Sequence, residues 1–210
     1  MIAVFDYDGT IFDTRSVDPP AVNETRASFS LPPLSVERIL SFVGLNTTEF
    51  YEACFEKNRT ATEKEMFGKL FLEAEQRHIE RTAELLPGIG DMLAHLYKDG
   101  VKMAVCSNGS RDYVVNSMKK LGIYDLFVHV WTYEEGSSKS EATGVILRKY
   151  GGGDGFFVGD RIMDIEAAVE NRIPVICTTM GFGGAEAYAA NYVVCSADEM
   201  ESSIRSLYFR

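Results

Sequence analysis

Six short apolar runs, at residues 2–5, 101–106, 126–130, 156–158, 174–177 and 192–194, constrain this chain more than any other feature. Each is continuous rather than alternating, as a strand buried on both faces must be, and such strands belong to parallel sheets covered by helices on both sides. Between them, residues 90–98, 111–121, 141–149, 163–171 and 197–207 carry helical patterns. The resulting β-α-β rhythm predicts an α/β fold, a Rossmann-like doubly wound parallel sheet.

One gap breaks the rhythm. Between Arg15 and Leu86 no strand-like run occurs, while Phe50, Cys54, Phe67, Leu70 and Phe71 recur at helical spacing. Pro19-Pro20 and Pro87-Gly88 interrupt regular structure at its two ends. The expected organisation is a catalytic core of residues 1–15 and 86–210 with an all-helical cap of residues 16–85. In an open parallel sheet the crevice lies beyond the carboxyl ends of the strands, so an insert after the first strand sits over that crevice.

The strongest chemical signal is Asp6-Tyr7-Asp8-Gly9-Thr10, immediately after the first strand. Four fixed positions match by accident roughly once in a thousand sequences of this size. A second acidic pair, Asp160 and Asp164, follows the run 156–158. If the two strands are neighbours, these carboxylates converge and repel unless a cation offsets them. A hard divalent ion such as Mg2+ prefers oxygen ligands and is commonly held by carboxylates together with a substrate phosphate. After the run 101–106 come Ser107, Asn108 and Gly109, a hydroxyl and backbone amides opening into a helix, where anions are favoured. Lys139 precedes the helix at 141–149 and offers a point charge for a phosphoryl oxygen; Lys149 is the alternative.

The 31 acidic against 21 basic residues, a net charge of -10, argue against nucleic acid or an anionic membrane as a partner. Neither a secretory leader nor a membrane span is visible, and the four cysteines lack paired spacing, so a reduced, cytoplasmic protein is expected. His78, His95 and His129 share no metal-ligand spacing, and they and Trp131 read as core or surface residues.

Taken in order, these motifs resemble the haloacid dehalogenase-like hydrolase superfamily, in its phosphoglycolate phosphatase-like branch with a helical cap after the first motif. Asp6 and Asp8 fit the first motif, Ser107 the second, Lys139 the third, and Asp160 with Asp164 the fourth. The resemblance implies a Mg2+-dependent phosphatase acting on a small phosphorylated metabolite. Asp6 would be the nucleophile that forms an aspartyl-phosphate, and Asp8 the general acid and base. Asp6, Asp8 through its backbone carbonyl, Asp160 and Asp164 would hold the metal. Ser107 and Lys139 would hold phosphoryl oxygens, with Thr10, Asn108 and Gly109 also touching substrate.

From the cap, Val43-Gly44-Leu45-Asn46-Thr47 resembles the loop that faces the active site, so Gly44 and Asn46 are expected at the substrate. Arg26, Arg38, Lys57, Arg59 and Lys64 are candidates to meet a substrate carboxylate. Gly181-Phe182-Gly183-Gly184 resembles a glycine-rich loop of phosphoglycolate and pyrophosphate phosphatases. The retained Asp8 favours a phosphatase over a dehalogenase, because an alkoxide leaving group needs a proton and a halide does not. A phosphomutase of the same fold and a phospho-accepting receiver are the alternatives, and a monomer or homodimer is expected.

Overall fold

A computed structural model describes residues 1–55 and 59–210. Six strands, β1 Ile2–Phe5, β2 Met103–Ser107, β3 His129–Thr132, β4 Gly155–Gly159, β5 Val175–Thr178 and β6 Tyr192–Val194, form one sheet. Its order is β3-β2-β1-β4-β5-β6, with every pairing parallel. This is the doubly wound α/β arrangement, with β1 and β4 side by side at its centre.

Alternation along β1 splits the core into two layers. Ala3 and Phe5 join Met103, Val105 and Phe156 beneath α5 Ile89–Lys98, α6 Arg111–Lys120 and α9 Ala197–Tyr208, which contribute Leu93, Met118 and Ile204. Ile2 and Val4 join Ala104, Phe157 and Val175 beneath α7 Lys139–Tyr150 and α8 Ile162–Glu170, which contribute Ile146 and Ile165. Each fully buried side chain of this size stabilises the fold by about 1.5–3 kcal/mol over its exposed state.

Between β1 and α5 lie four helices, α1 Asp18–Ser28, α2 Val36–Leu40, α3 Thr47–Cys54 and α4 Ala61–Thr82. They enclose an apolar cluster of their own that includes Val22, Ile39, Phe50, Phe67 and Phe71. The two chains that join them to the sheet run together: Asp13 N–H donates to Glu84 O at 3.0 Å, Leu86 N–H to Ile11 O at 3.0 Å, and Thr82 Oγ1 to Ser16 O at 2.6 Å.

One strand is displaced from its expected place. The run 126–130 reads as a strand, but Tyr124–Leu126 forms a 3-10 turn and β3 begins at His129. Leu126 and Phe127 are apolar because they pack onto the core from the connection, which lengthens the apolar run without lengthening the strand. Trp131 is buried on β3, and His78 and His95 sit against Glu24 and Glu201, while His129 stacks on Tyr150. Cys54, Cys106, Cys177 and Cys195 are all free. Among the described residues, no helix is long and apolar enough to cross a membrane.

Candidate active site

The central pairing of β1 with β4 brings the two acidic motifs together. Asp6 N–H donates to Val158 O at 2.8 Å, so the chain leaves both strands at one level. Gly9 turns it with φ +75°, and a Cβ there would meet Asp160 Oδ2 at 2.5 Å. Only glycine meets both demands.

Asp164 lies in the first turn of α8 and folds back, its Oδ2 accepting from the N–H groups of Asp160 and Arg161, each at 3.0 Å. Its Oδ1 accepts from Lys139 Nζ at 2.7 Å, and the same ammonium donates to Asp6 Oδ1 at 2.6 Å. Lys139 is presented by the first turn of α7, where Ser138 and Glu141 form a reciprocal cap. Burial works against its charge, but Asp164 and Asp6 outweigh burial and keep the ammonium protonated above its usual range. The alternative, Lys149, lies over the Tyr150 ring instead.

Burial and the neighbouring Asp164 raise Asp6 well above the usual carboxyl range, with Lys139 opposing. Asp160 is pushed up to about 7, first by burial and then by Asp164. The glycine-rich loop clamps this residue: Phe182 and Gly183 N–H groups donate to Asp160 Oδ2 at 2.6 and 3.3 Å. A Cβ at Gly183 would collide with the Asp160 carbonyl. Asp160 Oδ1, though buried, has no hydrogen-bond partner. One oxygen each from Asp6, Asp160 and Asp164 lies within 4.8 Å of the others. Three buried carboxylates, one with an orphaned oxygen, fit a hard cation such as Mg2+.

The Asp8 side chain stands outside that cluster. Its Oδ1 accepts from Tyr113 OH at 2.5 Å and Thr14 Oγ1 at 2.8 Å. Burial raises its pKa, and these two hydrogen bonds oppose the rise. At the end of β2, Ser107 Oγ is fully buried and accepts from Gly109 N–H at 3.0 Å, while Asn108 Nδ2 donates to Gly44 O at 2.8 Å.

A cavity of about 40 Å³ lies between these strand ends and the inserted helices, lined by Asp6, Asp8, Asn108, Gly109, Lys139 and Gly44 among others. Thr10 and Ser107 are buried and do not line it. Asn46 caps α3, its Oδ1 accepting from Glu49 N–H at 3.0 Å, and lines an adjoining open cleft with Gly44, Asn108 and Lys139 rather than this cavity. None of the basic candidates faces the cavity among the described residues. Arg26 is spent on the carbonyls of Pro32 and Cys54, Arg38 lies over Phe42, Lys64 reaches toward Glu52 and Arg59 bonds Glu63. Lys57 lies outside the described residues.

Sequence reasoning missed four polar members of the site: Thr14 and Tyr113, which hold Asp8, and the acids Asp18 and Glu75, which line the insert side of the cavity. Tyr113 follows the Ser107–Gly109 segment at the first turn of α6, which gave a signal of position but not of direction.

The model of the haloacid dehalogenase-like hydrolases matches residues 3–178. The chain belongs to this family. Within this hydrolase family it is 27% identical over 189 residues to the phosphoglycolate phosphatase of Agrobacterium fabrum, covering 86% of this chain and 81% of that protein. It is 28% identical over 119 residues to the N-acetylmuramic acid 6-phosphate phosphatase of Pseudomonas aeruginosa, covering 57% of this chain and 53% of that one. The fold matches a crystal structure from Haemophilus somnus described as a predicted phosphoglycolate phosphatase, with a TM-score of 0.89, 20% identity and 96% of each chain covered. It also matches CbbY of Rhodobacter sphaeroides in complex with phosphate, with a TM-score of 0.79, 20% identity and coverage of 95% and 96%.

Proposed function

We propose that this hydrolase is a Mg2+-dependent phosphomonoesterase that works through an aspartyl-phosphate on Asp6. The observation that carries this reading is Asp6 itself, held by Lys139 through one oxygen and left with Oδ2 free of hydrogen bonds among the described residues.

Asp6 Oδ2 attacks phosphorus as the bond from phosphorus to the alcohol oxygen breaks. Asp8 gives its proton to that oxygen. A water then attacks phosphorus, the bond to Asp6 breaks, Asp8 takes the proton, and inorganic phosphate leaves. The raised pKa of Asp8 suits a group that must start protonated, and Tyr113 and Thr14 fix its direction. Lys139 supplies positive potential where the equatorial oxygens gather charge. Ser107 Oγ accepts the Gly109 N–H and does not line the cavity. Asp6, Asp160, Asp164 and the Asp8 carbonyl would hold Mg2+, which would offset carboxylate repulsion and polarise the phosphoryl group.

Residues 16–85 serve as a cap. The cavity of about 40 Å³ is too small for a phosphate ester, but it adjoins open clefts at Glu75 and Tyr113 and at Lys139 and Asn108, so binding widens it by movement of the inserted helices. Arg161 Nη1 to Val43 O at 2.9 Å and Asn108 to Gly44 O are the contacts that release. The names of the relatives put phosphoglycolate first among esters to assay. The test is phosphate release from an aryl phosphate: Mg2+-dependent turnover is expected, lost by about 10⁴-fold or more in Asp6→Asn. Wild-type turnover in that variant would overturn the assignment.

A further inference from the structure

Opposite the catalytic carboxylates, the cavity is walled by Asp18 from the first turn of α1 and Glu75 from α4. They are 7% and 6% exposed, buried charges that a soluble core does not tolerate without partners. Neither has a hydrogen bond from any described residue, and Asp18 Oδ1 is fully enclosed. Burial raises both carboxyls well above the usual range, and Glu75 raises Asp18 further. Phe50 and Phe71 complete the wall.

A group left so costly to bury awaits a donor. Lys139 is committed to Asp6 and Asp164; Arg161 donates from Nη1 to Val43 O, and its Nε, though without a hydrogen bond, is turned to Glu186 at 3.8 Å rather than to Asp18 or Glu75. Two acids suit a cation, which the carboxylates pair. A substrate carboxylate placed there would meet like charge or force protons onto both acids.

We propose that Asp18 and Glu75 form the subsite for the alcohol half of the substrate and select a leaving group that carries a protonated amine over one that carries a carboxylate. This rests on the phosphatase reading above and adds the class of ester. Glu75 also lines a neighbouring open cleft of about 680 Å³, shared with Thr47 and Tyr113, into which a longer amine can extend.

The test compares kcat/KM for 2-aminoethyl phosphate and for phosphoglycolate, two esters of similar size that differ in the charge of the alcohol half, with an aryl phosphate as reference. The wild-type enzyme is expected to favour the amine by about tenfold or more. Asp18→Asn and Glu75→Gln should each shrink that ratio, a readout in which general losses of activity cancel. Equal or better turnover of phosphoglycolate, or a ratio that neither variant moves, would overturn the subsite while leaving the phosphatase intact. No release from any of the three esters would remove the phosphatase reading and the subsite with it.

Discussion

The two walls of the cavity are built on opposite rules. On the sheet side every acid is answered: Lys139 bridges Asp6 and Asp164, backbone amides hold Asp164 and Asp160, and Tyr113 and Thr14 hold Asp8. Asp160 Oδ1 is left over beside the cluster that fits a cation, and Asp6 Oδ2 is left for attack. On the insert side, Asp18 and Glu75 are answered by nothing described. In the proposed reaction the first wall is preorganised for charge that develops, and the second is left open for charge that arrives with the substrate.

The comparison breaks first at Lys139. Lys139→Met leaves Asp6 and Asp164 buried without their counter-charge, and a loss of about 3–5 kcal/mol in unfolding free energy is expected in metal-free buffer. Added Mg2+ should restore part of it, because a ligand of the folded state stabilises it. Denaturant titration with and without the ion checks both.

Asp8→Asn removes the proposed proton donor but keeps the shape, and should lower kcat by about 10²–10⁴-fold on an alkyl phosphate. The loss should be smaller on a nitrophenyl phosphate, whose leaving group departs without a proton. Equal losses on the two esters would mean that Asp8 does not act on the leaving oxygen.

The smallest effect sharpens the insert wall. Asp18 and Glu75 have folded-state pKa values above those of the unfolded chain, so the folded state binds more protons between the two values and stability falls as pH rises through that window. Asp18→Asn with Glu75→Gln removes this decline. The double variant should therefore gain Tm over wild type at pH 8 more than at pH 5, by about 2–4 °C for each kcal/mol recovered. Thermal unfolding at the two pH values measures it.

The two walls also differed in how far they could be read from sequence. Asp6, Asp8, Asp160 and Asp164 stand at strand ends in short motifs, and continuous apolar runs announced the strands and hence the mouth where they meet. Lys139 was legible from its place before a helix. Asp18 and Glu75 lie far apart in the chain and meet only because α1 packs on α4. Beside Pro19-Pro20, Asp18 reads as an ordinary helix start. Glu75 reads as one more charge on a helix rich in them. Asn46 carries two roles that its sequence does not separate: before Thr47-Thr48-Glu49 it caps α3, and it also lines an open cleft with Gly44, Asn108 and Lys139.

Rapid acid quench of the enzyme during turnover, followed by mass spectrometry of its peptides, tests the central claim. One phosphoryl group is expected on the peptide that contains Asp6, assigned to that side chain by fragmentation and absent in Asp6→Asn. Phosphate located on Asp8, or steady turnover by Asp6→Asn, would contradict it.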